Sequence, residues 1–318
     1  MKRLLNILFL LFSSASFADE VQSLSDAMLL VRNNCGGISD SLNDIKKMAG
    51  VGTAISAVGT AVAGGATAVG IAKTATDSDL ASINQKIAEL EAAVANPESL
   101  PEIDLENLEQ ELRFYVKSNP INIETVDDGL DSLRQEQQVL DEKSKKMGDA
   151  RTGLMATATA TNIASAAISG TNRIDTDFSA RITSCLAAID VLSAAKIQNA
   201  LNGNATDTEI SQADKIIAAC NKYDITDVEK INNRALGATV SSGVGAATGL
   251  AGTITSGVAN TDATREDADK SKSLNTVSNV LAGVTTAASL TATVFNATQI
   301  AAAKRIIEVA EQCEEALK

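Results

Sequence analysis

Residues 48–72 read MAGVGTAISAVGTAVAGGATAVGIA, a stretch with no charge between Lys47 and Lys73 and built mainly of Gly, Ala, Thr and Ser. Its larger side chains fall at Met48, Val51, Ile55, Val58, Val62 and, past the small Ala66, at Val69. Steps of three and four make a heptad stripe on one face of a helix. The expectation is that this stripe is the packing face and that the small residues around it let a neighbouring helix come close. The competing reading is a bilayer span, which needs about 20 predominantly apolar residues. Val, Ile and Leu each favour insertion by only about 0.3–0.6 kcal/mol. The few bulky residues here barely outweigh the Gly, Ser and Thr between them.

Three further uncharged stretches follow, at residues 153–172, 235–261 and 273–303. No run of β-branched or aromatic residues bounded by turns reads as a strand. The chain is therefore expected to be all-α, an elongated antiparallel helical bundle or coiled coil with small crossing angles. An internal duplication underlies it. Cys35 opens a passage containing VGTAISAVGTAVAGG, and Cys220 opens one containing LGATVSSGVGAATGLAG, with Gly52 and Gly237 equally far from their cysteines. Glu142-Lys143-Ser144-Lys145 aligns with Asp269-Lys270-Ser271-Lys272, Leu154 with Leu281 and, after one added residue, Cys185 with Cys313. Two copies of a long αα-hairpin follow, each opened and closed by a cysteine.

This reading sets the expected layout. Residues 19–77 are the first long helix of copy one, and 141–189 its return helix. Residues 190–219 form a connecting helical hairpin around Asn202-Gly203-Asn204, and 220–318 are copy two. Residues 78–140 are an insert found in copy one only. They are charged, hold all three prolines (Pro97, Pro101, Pro120), and carry short amphipathic helices marked by Leu80, Ile83, Ile87, Leu90 and Val94, then by Leu105, Leu108, Leu112 and Tyr115. A longer helix starting near Val126 is expected to continue through 153–172 towards Cys185.

Residues 1–18, MKRLLNILFLLFSSASFA, have a basic start at Lys2 and Arg3, a short apolar core, and small residues Ser16 and Ala18 before Asp19. They read as a secretory signal peptide, placing the mature chain in the periplasm or outside the cell, with membrane association open. In that oxidising setting Cys35, Cys185, Cys220 and Cys313 are expected to form two disulfides. Hairpin geometry brings the start of one helix to the end of the next, which favours Cys35–Cys185 and Cys220–Cys313. The competing set is Cys185–Cys220 with Cys35–Cys313.

The chemistry of catalysis is sparse. The chain has no His and no Trp, so no imidazole acid, base or metal ligand. The cysteines lack zinc spacing, and there is no phosphate loop or nucleophile elbow. No cofactor, metal or catalytic residue is expected, and no enzyme activity. The net charge of −13 opposes nucleic-acid binding. Two functional readings stand. In the first, the bundle is a structural and interaction module, and the insert is a recognition head presenting Phe114 and Tyr115 to a protein partner or a second copy. In the second, the chain is membrane-active. Its uncharged helices insert, packing through the small-xxx-small pair Gly245 and Gly249 and offering Val284, Leu290, Val294 and Phe295 on the best candidate segment.

Overall fold

The computed structural model describes residues 23–95, 105–117, 125–265 and 267–318. The signal-peptide assignment and all three prolines lie outside the described residues. Those described are all-α, with no strand among them. The helices are α1 (Leu24–Cys35), α2 (Ile38–Ala95), α3 (Leu105–Tyr115), α4 (Val126–Thr171), α5 (Thr176–Asn202), α6 (Asp207–Cys220), α7 (Ile225–Ala259), the single turn α8 (Asp262–Arg265) and α9 (Ala268–Ala316).

Local chemistry sets the ends. Ser23 caps α1 by accepting from the Asp26 backbone N–H, and the chain breaks at Gly36-Gly37, where Gly37 has φ +72°. The start of α2 is held by a carboxylate: Ser39 donates its backbone N–H and its hydroxyl to Glu314, at 3.2 and 2.9 Å. A negative group there also suits the helix dipole. Asp175 caps α5 through the Phe178 N–H, Gly203 ends it in the left-handed region at φ +67°, and Thr206 and Glu209 form a capping box on α6.

The chain divides into two compact units. Unit 1 comprises residues 23–54, Ser165–Val240 and Thr291–Lys318; unit 2 comprises Ile55–Ala164 and Ser241–Leu290. Unit 1 has an ordinary apolar core. Leu24, Val31 and Leu42 meet Ile182, Ile189 and Leu192, Ile216 and Ile231, and Ile306 and Ile307. Both disulfides sit in it: Cys35 is bonded to Cys185 and Cys220 to Cys313, with all four residues fully buried.

Unit 2 contains an antiparallel four-helix arrangement. Here α2 meets α4 at Gly59–Thr161 and α9 at Gly70–Asn279, while α7 meets α4 at Gly249–Thr159 and α9 at Gly252–Leu281. The pair α4 and α9 run in the same direction and touch at Asn162 and Ser289. Beyond them a second cluster joins Ile83, Ile87 and Leu90 of α2 to Leu108 and Leu112 of α3 and Leu130 and Leu133 of α4.

Three expectations are corrected. The stripe Met48–Val51–Val58 faces outward: Met48 is 41% and Val58 52% exposed. The buried seam is one residue further on, at Ala49, Gly52, Ser56, Gly59, Ala63, Ala66 and Gly70. Where helices approach this closely, small side chains occupy the seam and larger ones are displaced outside it. Second, the bounds drawn for residues 78–140 do not fall between helices. The boundary at 77 falls inside α2, which runs unbroken to Ala95, and the one at 140 falls inside α4. The seam simply continues from Thr76 to Ile83, Ile87 and Leu90, becoming apolar as it goes. Third, the return helix of copy one stops at Thr171 and restarts at Thr176. Asn232 of α7 holds the gap by accepting from the Ile174 N–H and donating to its carbonyl, and Asp175 starts the next helix.

Candidate functional site

The candidate site is the uncharged section of unit 2, built from residues 55–72, 153–164, 241–261 and 273–290. Each helix keeps a heptad seam through it. On α7 the seam is Ser242, Gly245, Gly249, Gly252 and Ser256; on α9 it is Ser278, Ala282, Thr285 and Ser289; on α4 it is Met155, Ala158 and Asn162. Many hydroxyls in this interior bond to one another or to helix carbonyls. Thr248 and Thr285 hydroxyls pair at 2.8 Å, Thr152 Oγ1 donates to Ser256 Oγ at 3.0 Å, and Ser278 Oγ donates to the Gly252 carbonyl.

Met155 apart, the bulky side chains are exposed or half-buried. Val58 and Ile71 of α2, Ile163 of α4, Val244, Leu250, Ile254 and Val258 of α7, and Val277, Val280, Val284 and Leu290 of α9 are all exposed. No charged residue interrupts these segments. The section is therefore inverted relative to a water-soluble bundle, which places its apolar stripe inward. Exposed apolar residues are ordinary when scattered singly but not when they share an uncharged surface. Residues 273–290 rise about 27 Å at 1.5 Å per residue, close to the ~30 Å hydrocarbon core of a bilayer.

The predicted residues separate into two groups. Gly245 and Gly249 are buried against Asn162 and Thr159. Val284 and Leu290 are exposed in unit 2, and Val294 is exposed in unit 1. Phe295, also in unit 1, is half-buried with its ring over Gly237. Three described helical stretches are long and apolar enough to cross a membrane by length and composition: Leu24–Ala92, Asp177–Asn202 and Asp269–Ala316. The segment 235–261 is not among them because Gly, Ser and Thr dilute its apolar residues. Asp177–Asn202 went unnoticed because its charges hid the Leu, Ile and Val between them.

Of the other candidates, Phe114 is 79% exposed on α3 with its ring edge-on to Tyr115, the centroids 6.1 Å apart. Tyr115 is half-buried against the cluster beneath. A cavity of about 410 Å³ lies among Lys73, Asp77, Leu80, Asp141, Ser144 and Asn275. There the Asp77 carboxylate accepts from Lys73 Nζ at 2.7 Å, Ser144 Oγ at 2.5 Å and Asn275 Nδ2 at 2.9 Å. Arg265 bonds to Asp141. No cluster of metal-ligating side chains occurs among the described residues. Two buried groups escaped the sequence reading, Arg151 and Tyr223. Burial, and then the nearby Glu314 charge, push the Tyr223 hydroxyl up.

The sequence matches no protein-family model, no curated protein and no solved structure.

Proposed function

We propose that this is a non-enzymatic exported protein that seats the uncharged section of its bundle in a lipid bilayer. The observation that carries the reading is the inversion itself: small residues, Ser, Thr and Asn line the seams, while most of the Val, Ile and Leu are exposed. In lipid, helix contacts are made by small residues and by interhelical hydrogen bonds, and polar side chains turn to the bundle interior. Locked hairpins would oppose any insertion that required the helices to open. An already inverted section needs no opening, so the two disulfides are compatible with it. They are also compatible with export.

The chain is further proposed to be a duplicated αα-hairpin. Its support is a constant spacing: Asn162 bonds to Ser289, Ser169 to Asn296 and Asn172 to Gln299, every pair 127 residues apart. That is the same offset that aligns the two return helices in sequence. On α7 the seam residue equivalent to Gly52 is Ala238, so the glycine pairing Gly52–Gly237 is one residue out of register. A second role falls to residues 78–140. Phe114, exposed on a helix whose other face is well packed, is an anchor for a protein partner.

Flotation with vesicles of phosphatidylethanolamine and phosphatidylglycerol tests the main reading. The oxidised chain lacking residues 1–18 should float and resist stripping by high salt. A chain carrying both Ile254→Lys and Val280→Lys should stay helical in detergent but no longer float, since a lysine at mid-bilayer costs about 2.5–3.5 kcal/mol. A wild-type chain that remains monodisperse without detergent and never floats refutes membrane seating. Its outer face would then be the surface for a protein or a second copy.

A further inference from the structure

The cavity beside Asp77 lies at the charged end of the uncharged section, lined by α2, α4 and α9 and by Arg265 of α8. Much of its lining is already satisfied. Lys73, Ser144 and Asn275 are buried, and all three donate to the Asp77 carboxylate. Arg265 is paired with Asp141, and Leu80 and Ala81 supply an apolar wall. Asp269 and Lys272 differ from these. Both line the cavity from α9 and both are exposed. Among the described residues, no hydrogen bond or ion pair engages either side chain. Positions three apart on a helix are neighbours on one face, yet these two opposite charges are not bonded to each other. With the paired groups cancelled, the cavity keeps one carboxylate and one ammonium side by side.

Helix rise fixes the depth of this cavity relative to a bilayer. The uncharged segments end at Ala72 on α2 and begin at Ser273 on α9. Asp77 lies ~8 Å along α2 past Ala72, and Asp269 ~6 Å along α9 before Ser273. The headgroup layer on each side of the hydrocarbon core is about 5–8 Å thick. With the uncharged section seated in lipid, the cavity lies at headgroup depth.

We propose that this cavity binds the phosphoethanolamine headgroup of phosphatidylethanolamine, an inference that rests on the membrane seating proposed above. The lipid ammonium donates to the Asp269 carboxylate and the lipid phosphate accepts from Lys272 Nζ, both charge-assisted hydrogen bonds. A zwitterion suits a lining whose unpaired charges are one of each sign. Phosphatidylglycerol would leave Asp269 unmatched and bring a second negative charge beside it. A quaternary ammonium has no N–H to give a carboxylate and is held by aromatic faces instead. None of the lining residues is aromatic, which disfavours phosphatidylcholine.

The test uses the oxidised chain lacking residues 1–18 in one non-ionic detergent, with short-chain dihexanoyl lipids as probes. Its folding equilibrium, read by urea unfolding, should rise by about tenfold for each tenfold increase in dihexanoylphosphatidylethanolamine above the dissociation constant. The dihexanoyl forms of phosphatidylglycerol and phosphatidylcholine, and inorganic phosphate, should leave it unchanged. Asp269→Asn combined with Lys272→Gln should abolish the response, and because both positions are exposed the variant keeps the fold. Glycerophosphoethanolamine, the same headgroup without acyl chains, separates a lipid from a soluble source: a response equal to that of the lipid overturns the lipid assignment. Indifference to phosphatidylethanolamine, an equal response to the other two lipids or to phosphate, or an unchanged response in the double variant would each overturn the site. Flotation of the same chain reports seating separately, so a wild type that floats yet ignores phosphatidylethanolamine loses the headgroup site alone.

Discussion

Gly249→Ala and Gly243→Ala are the same substitution six residues apart on α7, and the structure gives them opposite signs. Replacing Gly by Ala in a helix interior stabilises by about 1 kcal/mol through propensity alone. At Gly243 an added Cβ meets nothing within 4 Å, so the variant should gain about that much. At Gly249 the Cβ would lie 2.5 Å from Thr159 Oγ1 and 3.4 Å from Thr159 Cα. The second atom is backbone, and the first belongs to a β-branched side chain whose hydroxyl already donates to the Met155 carbonyl. Neither yields easily. Overpacking of this kind costs about 1–3 kcal/mol, so Gly249→Ala should lose about 0–2 kcal/mol, and the two variants should differ by about 1–3 kcal/mol. Urea unfolding of the oxidised chains, followed by circular dichroism at 222 nm in one buffer or detergent, measures the difference. If the bulky residues faced inward instead, Gly243 beside Val240 and Val244 would lie at the seam and Gly249 would lie outside it. A stabilised Gly249→Ala with a destabilised Gly243→Ala would therefore refute the inverted packing.

Non-reducing peptide mapping should recover Cys35 linked to Cys185 and Cys220 linked to Cys313; a Cys185–Cys220 peptide contradicts the structure. Replacing both Cys35 and Cys185 with Ala opens a loop of sequence separation 150, for which the chain-entropy model sets a loss of about 5 kcal/mol, read from the urea midpoint. Leu112→Ala empties a fully buried position in the α2–α3–α4 cluster and should cost about 2–5 kcal/mol, whereas the exposed Phe114→Ala should move stability by less than about 0.5 kcal/mol while weakening partner capture. Tyr223 gives a pH signature. Its buried hydroxyl stays protonated in the folded chain after the unfolded chain has released that proton. The native state then binds more protons, so stability should fall as pH rises above about 10. Tyr223→Phe should flatten that fall and be neutral or stabilising at pH 7, since the hydroxyl it removes has no hydrogen-bond partner.

Helix content and the heptad period were legible because both are properties of spacing. The face that turns inward was not. Polarity points to Val51 and Val58 as core, but size decides a seam in which Gly59 sits beside Thr161 and Gly245 beside Asn162. The shift is a single residue, and it turns Met48, Val51 and Val58 outward while leaving Ile55, Val62 and Val69 half-buried. The boundary at residue 77 was drawn from a change in composition. Composition changes there, but register does not, and register is what a helix needs in order to continue. The break after Thr171 was hidden for a different reason. It depends on Asn232 and Gln299, each distant in sequence, taking up the backbone groups of Ile174 and Asn172. Arg151 could have been singled out as the one cation on the α4 seam. Its lack of a hydrogen-bond partner is visible only in the structure.

The spacing of 127 residues between facing positions has a consequence for inheritance. In a symmetric pair of identical chains, a residue on the axis meets its own copy, so any replacement arises twice at once and must suit itself. Here both faces are carried by one gene, and each can vary alone. The layers show that freedom in use: Asn162 is opposed by Ser289, Ser169 by Asn296, and Asn172 by Gln299. In the first two layers a long amide is matched with a short hydroxyl, and the order reverses from one to the other, a sequence of unlike partners that no self-pairing chain could encode.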